Sequence, residues 1–199
     1  MVETTRRQAI EDAASTLFHE HGYSGTSVRD IARAVDIQGA SLYAHVTSKQ
    51  DVLWSIVEHT ADRFETAADD AEALDRTLVN GPGAHLVALV RAHVEVVTDD
   101  IERASVFVHE WRSLDRIRRD SMARRRDAYE SRFRRAISDG VETGAFAPVD
   151  PVATAAFILT ALNGLVAWYR PSGRLSPSAI ADRYADLALR AVQPGDPRS

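Results

Sequence analysis

From Pro151 to Tyr169 the chain runs nineteen residues without a charged side chain, PVATAAFILTALNGLVAWY, although 27% of the whole sequence is Asp, Glu, Lys or Arg. A helix that is apolar all round must be buried all round. A chain of 199 residues has few other helices to spare for that, so a partner subunit is the natural cover. The run is also about long enough to cross a bilayer. Thr154, Thr160, Asn163 and Gly164 dilute it, however, and no other segment supports a membrane reading. The expectation is therefore a buried helix over 151–169 and no membrane partner. Ser176-Pro177 then opens a last helix to about Val192, with Ile180, Tyr184, Leu187, Ala188 and Ala191 on one stripe. Helices 151–169 and 177–192 together make a self-complementary surface, and two copies would form a four-helix, two-fold homodimer interface.

The rest of the chain also has helical periodicity. Ile10, Ala13, Ala14, Leu17 and Phe18 mark a first helix from Thr5 to His21, ended by Gly22. A long helix runs from Ser48 to about Val79 on Val52, Leu53, Ile56, Val57, Phe64 and Ala68, and Asn80-Gly81-Pro82-Gly83 breaks it. Further helices are predicted over 84–98, 101–114 and 117–143. No strand alternation or hairpin turn signal occurs. The fold class is all-α with about nine helices. The tail, Gln193 to Ser199, reads as disordered.

The stretch with the most specific signal is Gly22 to Trp54, GYSGTSVRDIARAVDIQGASLYAHVTSKQDVLW. Thr26 and Ser27 offer hydroxyl caps to a helix with Val28, Ile31, Ala32 and Val35 on its apolar side. Asp36 to Gly39 breaks that helix, with Gly39 permitting the turn, and Ala40 to Val46 forms a second one. Ser48 to Asp51 resembles a capping box. Leu42 and Val46 can face inward, leaving Gln38, Ser41, Tyr43 and His45 as polar groups on a slim helix. Such groups can bond phosphates or base edges. On spacing alone, an ordinary helical hairpin with a polar outer face fits equally well.

Phe18, Gly22-Tyr23, Gly25 to Ala32, Ser41 to Tyr43, His45-Val46 and Ser48-Lys49 give this segment a dense, ordered resemblance to the N-terminal DNA-binding domain of TetR-family transcriptional regulators. The resemblance implies a helix-turn-helix DNA-binding domain over 1–49 and a helical ligand-binding and dimerisation domain over 50–192, followed by the tail 193–199. It also implies DNA contacts at Thr26, Ser27, Arg29, Gln38, Gly39, Ser41, Tyr43, His45 and Lys49. Of these, Thr26, Tyr43 and Lys49 would hold phosphates, and Gln38, Gly39 and Ser41 would lie nearest the bases. A dimer would then read a pseudo-palindromic operator.

Charge does not drive this reading. The net charge is −5, and the first 49 residues carry five basic against six acidic side chains. DNA binding must depend on where charges face, with the acids turned from the groove. The absence of cysteine excludes disulfides and thiolate metal sites. The polar N-terminus is not a signal peptide, so a cytoplasmic location is expected.

No P-loop, GxGxxG or GxSxG motif occurs, and His109-Glu110 lacks the second His of a zinc-protease motif, with Ser113 in its place. No catalytic residue, metal or cofactor is assigned. A small-molecule effector site is more credible, built from polar and aromatic side chains on otherwise apolar helices: His93, Phe107, Trp111, Tyr129, Asn163 and Trp168. The same residues could simply fill the core. Between Arg112 and Arg135 ten arginines face four acids. Either they form a solvated face with i,i+4 pairs, or they grip an anionic ligand. The ending AWYRPSGRLSPSAIADRYADL resembles TetR-type repressors of lipid or steroid catabolism, some of which release DNA on binding acyl-CoA thioesters. That resemblance makes an acyl-CoA the candidate effector.

Overall fold

The computed structural model describes residues 6–78 and 81–193, with side chains throughout except at 74–78. The described residues form ten α-helices and no strand: α1 Arg6–Gly25, α2 Val28–Ala34, α3 Gly39–Leu42, α4 Lys49–Leu78, α5 Pro82–Asp99, α6 Ile101–His109, α7 Arg116–Glu142, α8 Pro151–Asn163, α9 Leu165–Trp168 and α10 Pro177–Val192. A 3-10 turn at Trp111–Ser113 separates α6 from α7. Only Gly164 separates α8 from α9, so counting those two as one gives the nine helices expected. The expected start at Thr5, the break at Asn80 and the tail beyond Gln193 lie outside the described residues.

The helices pack as two compact units. The first comprises residues up to Asp62 together with Asp100–Arg124. Here α1 packs on α2 and α6, and α2 on α3. Its core holds Ile10, Phe18, Ile31, Leu42, Leu53, Ile56, Val106 and Met122, all almost wholly buried. Gly22 interrupts α1 with φ 74 and ψ 160, a backbone conformation reserved for glycine. The regular helix therefore stops where the sequence placed its end, and Tyr23 to Gly25 form a separate turn. Asp36, at φ 52, makes the reversal between α2 and α3. Aspartate tolerates this left-handed conformation, so Asp36, not Gly39, makes the turn. Gly39 is instead the first residue of α3.

The second unit comprises Arg63–Asp99 and the chain from Arg125 onward. Within it α5 packs along α10, and both pack on α8. Leu86, Leu89, Val90, Phe133, Ile137, Leu162, Leu165, Ile180 and Val192 fill the centre. After α7 the chain doubles back closely. The Phe146 N–H donates to the Gly140 carbonyl at 2.9 Å, and a Cβ on Gly140 would lie 2.1 Å from the Phe146 ring. Only a hydrogen fits there. Asp150 caps α8 through the N–H groups of Val152 and Ala153, with Pro151 in the first turn.

One expectation changes. The segment predicted as a helix over 101–114 is α6 plus the 3-10 turn, because Trp111 to Ser113 tighten before Leu114 turns extended. The chargeless run is not enclosed within the chain. Only 28% of the window Pro151–Trp168 is buried. Val152, Phe157 and Trp168 stand exposed, and so does Leu187 on α10. The apolar composition outruns what this chain's own helices can cover.

Candidate nucleic-acid interface and effector core

The corner made by α2 and α3 is held by specific side chains. Ser27 and Asp30 form a full capping box at the start of α2. The Ser27 hydroxyl accepts from the Asp30 N–H at 3.2 Å, and the Ser27 N–H donates to the Asp30 carboxylate at 2.9 Å. The Ser27 hydrogen bonds hold the Asp30 carboxyl below its usual range. The α3 helix proper is four residues long. Bonds from Ala44 to Ser41 and from His45 and Val46 to Leu42 then continue the winding through the predicted segment. Leu42 and Val46 are buried as expected. On the other side Ser27, Arg29, Gln38, Ser41, Tyr43 and His45 are exposed, with Gly39 half-buried among them. Tyr43, at 56% exposure, leaves a large ring in solvent with no packing reason to be there.

Thr26 and Lys49 are placed differently. Thr26 is 2% exposed, and its hydroxyl donates to the carbonyls of Leu17 and Gly22. It ties the end of α1 to the start of α2 instead of facing outward. The Lys49 ammonium donates to the Tyr23 and Thr26 carbonyls at 2.8 and 2.7 Å and lies 4.0 Å from the centre of the Tyr23 ring. Burial pulls the Lys49 amine down from its ordinary value, and Glu110 pushes back. At the start of α4, Ser48 accepts from the Asp51 N–H at 3.0 Å, but the Asp51 carboxylate bonds Thr47. The expected box is thus shifted by one residue on its acidic arm.

A second set of contacts joins this corner to α6 and the start of α7. The Gln50 amide donates to the Ser113 carbonyl at 2.7 Å and accepts from the Asp115 N–H at 3.0 Å. Asp51 pairs with Arg118, Asp12 with the buried Arg103, and Thr16 with Glu102. Glu11 is turned inward to Ser55 and Arg7. Glu11, Asp12 and Asp30, three of the six acids counted over the first 49 residues, are therefore engaged in internal contacts. The Gln50 clamp had no sequence signal, because its partners lie more than sixty positions away.

Among the six candidate effector residues, the structure brings His93 and Tyr129 together in the second unit. His93 Nδ1 lies 3.1 Å from the Tyr129 hydroxyl. Phe64 lies against the His93 ring, tilted by 37° with centroids 4.6 Å apart, and meets Tyr129 edge-on at 5.7 Å, and Phe133 adjoins Tyr129 at 5.7 Å. Burial, with the nearby Arg126 charge, lowers the His93 pKa to about 3. Burial also raises the Tyr129 hydroxyl well above its ordinary value. Both are neutral at physiological pH. Phe64 had been legible only as a core residue. Asn163 ends α8 half-buried, and Trp168 stacks on Tyr184 at 6.5 Å. Phe107 and Trp111 belong to the first unit, where Phe107 is buried and Trp111 lies under the Arg112 guanidinium.

Three arginines of α7, Arg118, Arg125 and Arg132, pair with carboxylates of α4. Arg125 forms a two-pronged bond with Glu65, both arms 2.7 Å, and Arg132 reaches Asp69 and Glu72. Arg116–Asp120 and Arg134–Glu130 are the i,i+4 pairs. Planar guanidinium groups facing carboxylates of α4 bind the two helices to each other.

Residues 80–192 match the family described as tetracyclin repressor-like, C-terminal domain, and residues 10–56 match bacterial regulatory proteins, tetR family. The chain belongs to the tetR family. Family members are transcriptional regulators, not enzymes. Similar proteins include the transcriptional repressor KstR2 of Mycolicibacterium smegmatis, 27% identical over 94% of this chain and 91% of that protein. The solved ketosteroid transcriptional regulator KstR2 of Mycobacterium tuberculosis superposes with a TM-score of 0.88 at 25% identity, covering 98% of each chain. AibR in complex with isovaleryl coenzyme A and operator DNA superposes with a TM-score of 0.79 at 29% identity, over 93% of this chain and 98% of that one.

Proposed function

We propose that this tetR-family regulator is a cytoplasmic homodimeric repressor that holds a pseudo-palindromic operator and releases it on binding an acyl-CoA thioester. The observation that carries the DNA reading is the surface of the α2–α3 corner. Tyr43, Ser41, His45 and Gln38 stand in solvent directly over the buried Leu42 and Val46. In this reading residues 1–49 hold the DNA. Tyr43 and Ser27 meet phosphates, Arg29 adds charge, and Gln38, Gly39 and Ser41 approach the base edges. Thr26 fixes the corner from inside. Lys49 does the same, and the third N–H of its ammonium remains for a phosphate.

Residues 50–192 carry the effector and the dimer contact. The exposed Val152, Phe157, Trp168 and Leu187 form the apolar surface that a second copy would cover. The likeness to AibR, solved with isovaleryl coenzyme A and operator DNA, supports the effector class. A thioester that prefers the DNA-free state by about 100-fold would supply roughly 2.7 kcal/mol per site toward release.

The test is a mobility shift with DNA from immediately upstream of the gene, with and without isovaleryl-CoA and longer acyl-CoAs. A retarded band abolished by a thioester supports repression and effector class together. A band that no thioester moves removes the effector class and leaves the DNA reading. No band from a folded dimer on that DNA refutes self-operator binding.

A further inference from the structure

His93 Nε2 is buried with no hydrogen-bond partner among the described residues, and the residue is only 2% exposed. Buried polar atoms are almost always paired, so an orphan on an otherwise well-packed ring points to a missing partner. Phe64 lies tilted by 37° against the ring at 4.6 Å, and the Tyr129 hydroxyl meets its other nitrogen, Nδ1, at 3.1 Å.

That contact also sets where the proton sits. A phenol is more acidic than a neutral imidazole N–H, so the Tyr129 hydroxyl donates and His93 Nδ1 accepts. The proton of the neutral ring then resides on Nε2. The orphan is a donor, and the positive charge of Arg126 acts on the same ring. A buried donor in a positive field calls for an oxygen acceptor. Phe64 against both rings of the His93–Tyr129 pair, and Phe133 against Tyr129, call for an apolar body attached to the acceptor.

We infer that His93 Nε2 is the donor that receives the thioester carbonyl oxygen of the effector's acyl group, with the acyl chain against Phe64 and Phe133. The inference rests on the acyl-CoA reading above and adds the position of the acyl carbonyl. Tyr129 is a positioning residue, since it holds the tautomer without touching the ligand.

The experiment is calorimetric titration of the full-length dimer with isovaleryl-CoA and with isopentyl-CoA, its thioether counterpart, in which a methylene replaces the carbonyl. Everything except the acceptor oxygen is kept. The wild-type protein should bind the thioester about tenfold more tightly, equivalent to about 1.4 kcal/mol. His93→Phe keeps a ring against Phe64 and removes the donor, so the two ligands should then bind within about twofold of each other. Should His93→Phe fail to fold, nitrogen-15 NMR of the wild-type histidines reads the same contact, because the His93 Nε2–H resonance should move with the thioester and stay with the thioether. Equal wild-type affinities, or a tenfold gap that survives in His93→Phe, would overturn the inference and leave the acyl-CoA reading standing. Failure of both ligands to bind would overturn the two together.

Discussion

The strongest thermodynamic signature of this chain should be a pH-dependent stability carried by one side chain. His93 has an ordinary pKa of 6.5 and a folded-state value of about 3, lowered first by burial and then by Arg126. In the folded protein the ring stays neutral across that interval, while in the unfolded chain it takes up a proton. The unfolded state therefore binds more protons between those values, and folding stability falls as pH drops through them. The stabilising difference is fully present above about pH 6.5 and is lost progressively toward pH 3. Integrating between the two pKa values gives a loss of roughly 2 kcal/mol by about pH 5. At this chain length that amounts to roughly 4–8 °C in Tm.

The perturbation is His93→Gln, which keeps an acceptor for the Tyr129 hydroxyl and never carries a charge. Urea unfolding of both proteins at about pH 7.5 and about pH 5, with protomer concentration fixed, gives the comparison. Asp30 and Asp51 also have lowered pKa values, but both proteins share them, so their acid loss cancels. The stability gap between wild type and variant should shrink by roughly 2 kcal/mol on acidification. A gap that stays constant to within about 0.5 kcal/mol would refute the assignment of His93 as a buried neutral ring.

Four further outcomes follow from the geometry. Gly140→Ala would press a methyl group into the Phe146 ring 2.1 Å away, and chemical denaturation should show a loss of about 1–3 kcal/mol. Gly22→Ala meets an unfavourable φ of 74 and the Glu110 carboxylate at 3.3 Å; a cost of about 1–3 kcal/mol should appear in the same assay. Tyr43→Ala should weaken operator binding by about tenfold or more in a mobility shift, as loss of a phosphate contact from each subunit would, while size exclusion still reports an intact dimer. Phe157→Glu places a charge on the exposed face of α8; light scattering should find a monomer, and a mass unchanged from wild type would exclude that face as the dimer contact.

Much of the helical framework was legible because it rests on local rules. The stripe of Ile10, Ala14 and Phe18 announced α1, and Asp150-Pro151 announced the start of α8. Leu42 and Val46 could be assigned inward from spacing alone. What escaped was set by backbone strain or by long-range partners. Gly39 looked like the turn residue, yet Asp36 adopts the left-handed conformation, since aspartate and glycine can both do so and sequence does not rank them. Thr26 and Ser27 are adjacent hydroxyls with equal claims to cap α2. Ser27 caps, while Thr26 is drawn inward by carbonyls of α1. The arginines of α7 offered their own i,i+4 acids, but Arg125 and Arg132 pair with acids of α4 that sequence distance hides. Polar and aromatic side chains on otherwise apolar helices suggested six effector residues. Only the fold could show that His93 and Tyr129 touch, and that Phe107 and Trp111 lie in the other packing unit.

Lys49 is the only lysine in a chain that holds no cysteine, and its ammonium is spent on two backbone carbonyls of the α1–α2 connection. For a chemist this makes the corner uniquely addressable. Amine-selective acylating reagents have one side chain to find, and they can react there only when the ammonium lets go of Tyr23 and Thr26 and loses its proton. The modification rate at that position is therefore a clock for how often the corner opens. It needs no introduced label, and by mass spectrometry it can be read on free protein, on the operator complex and with effector bound.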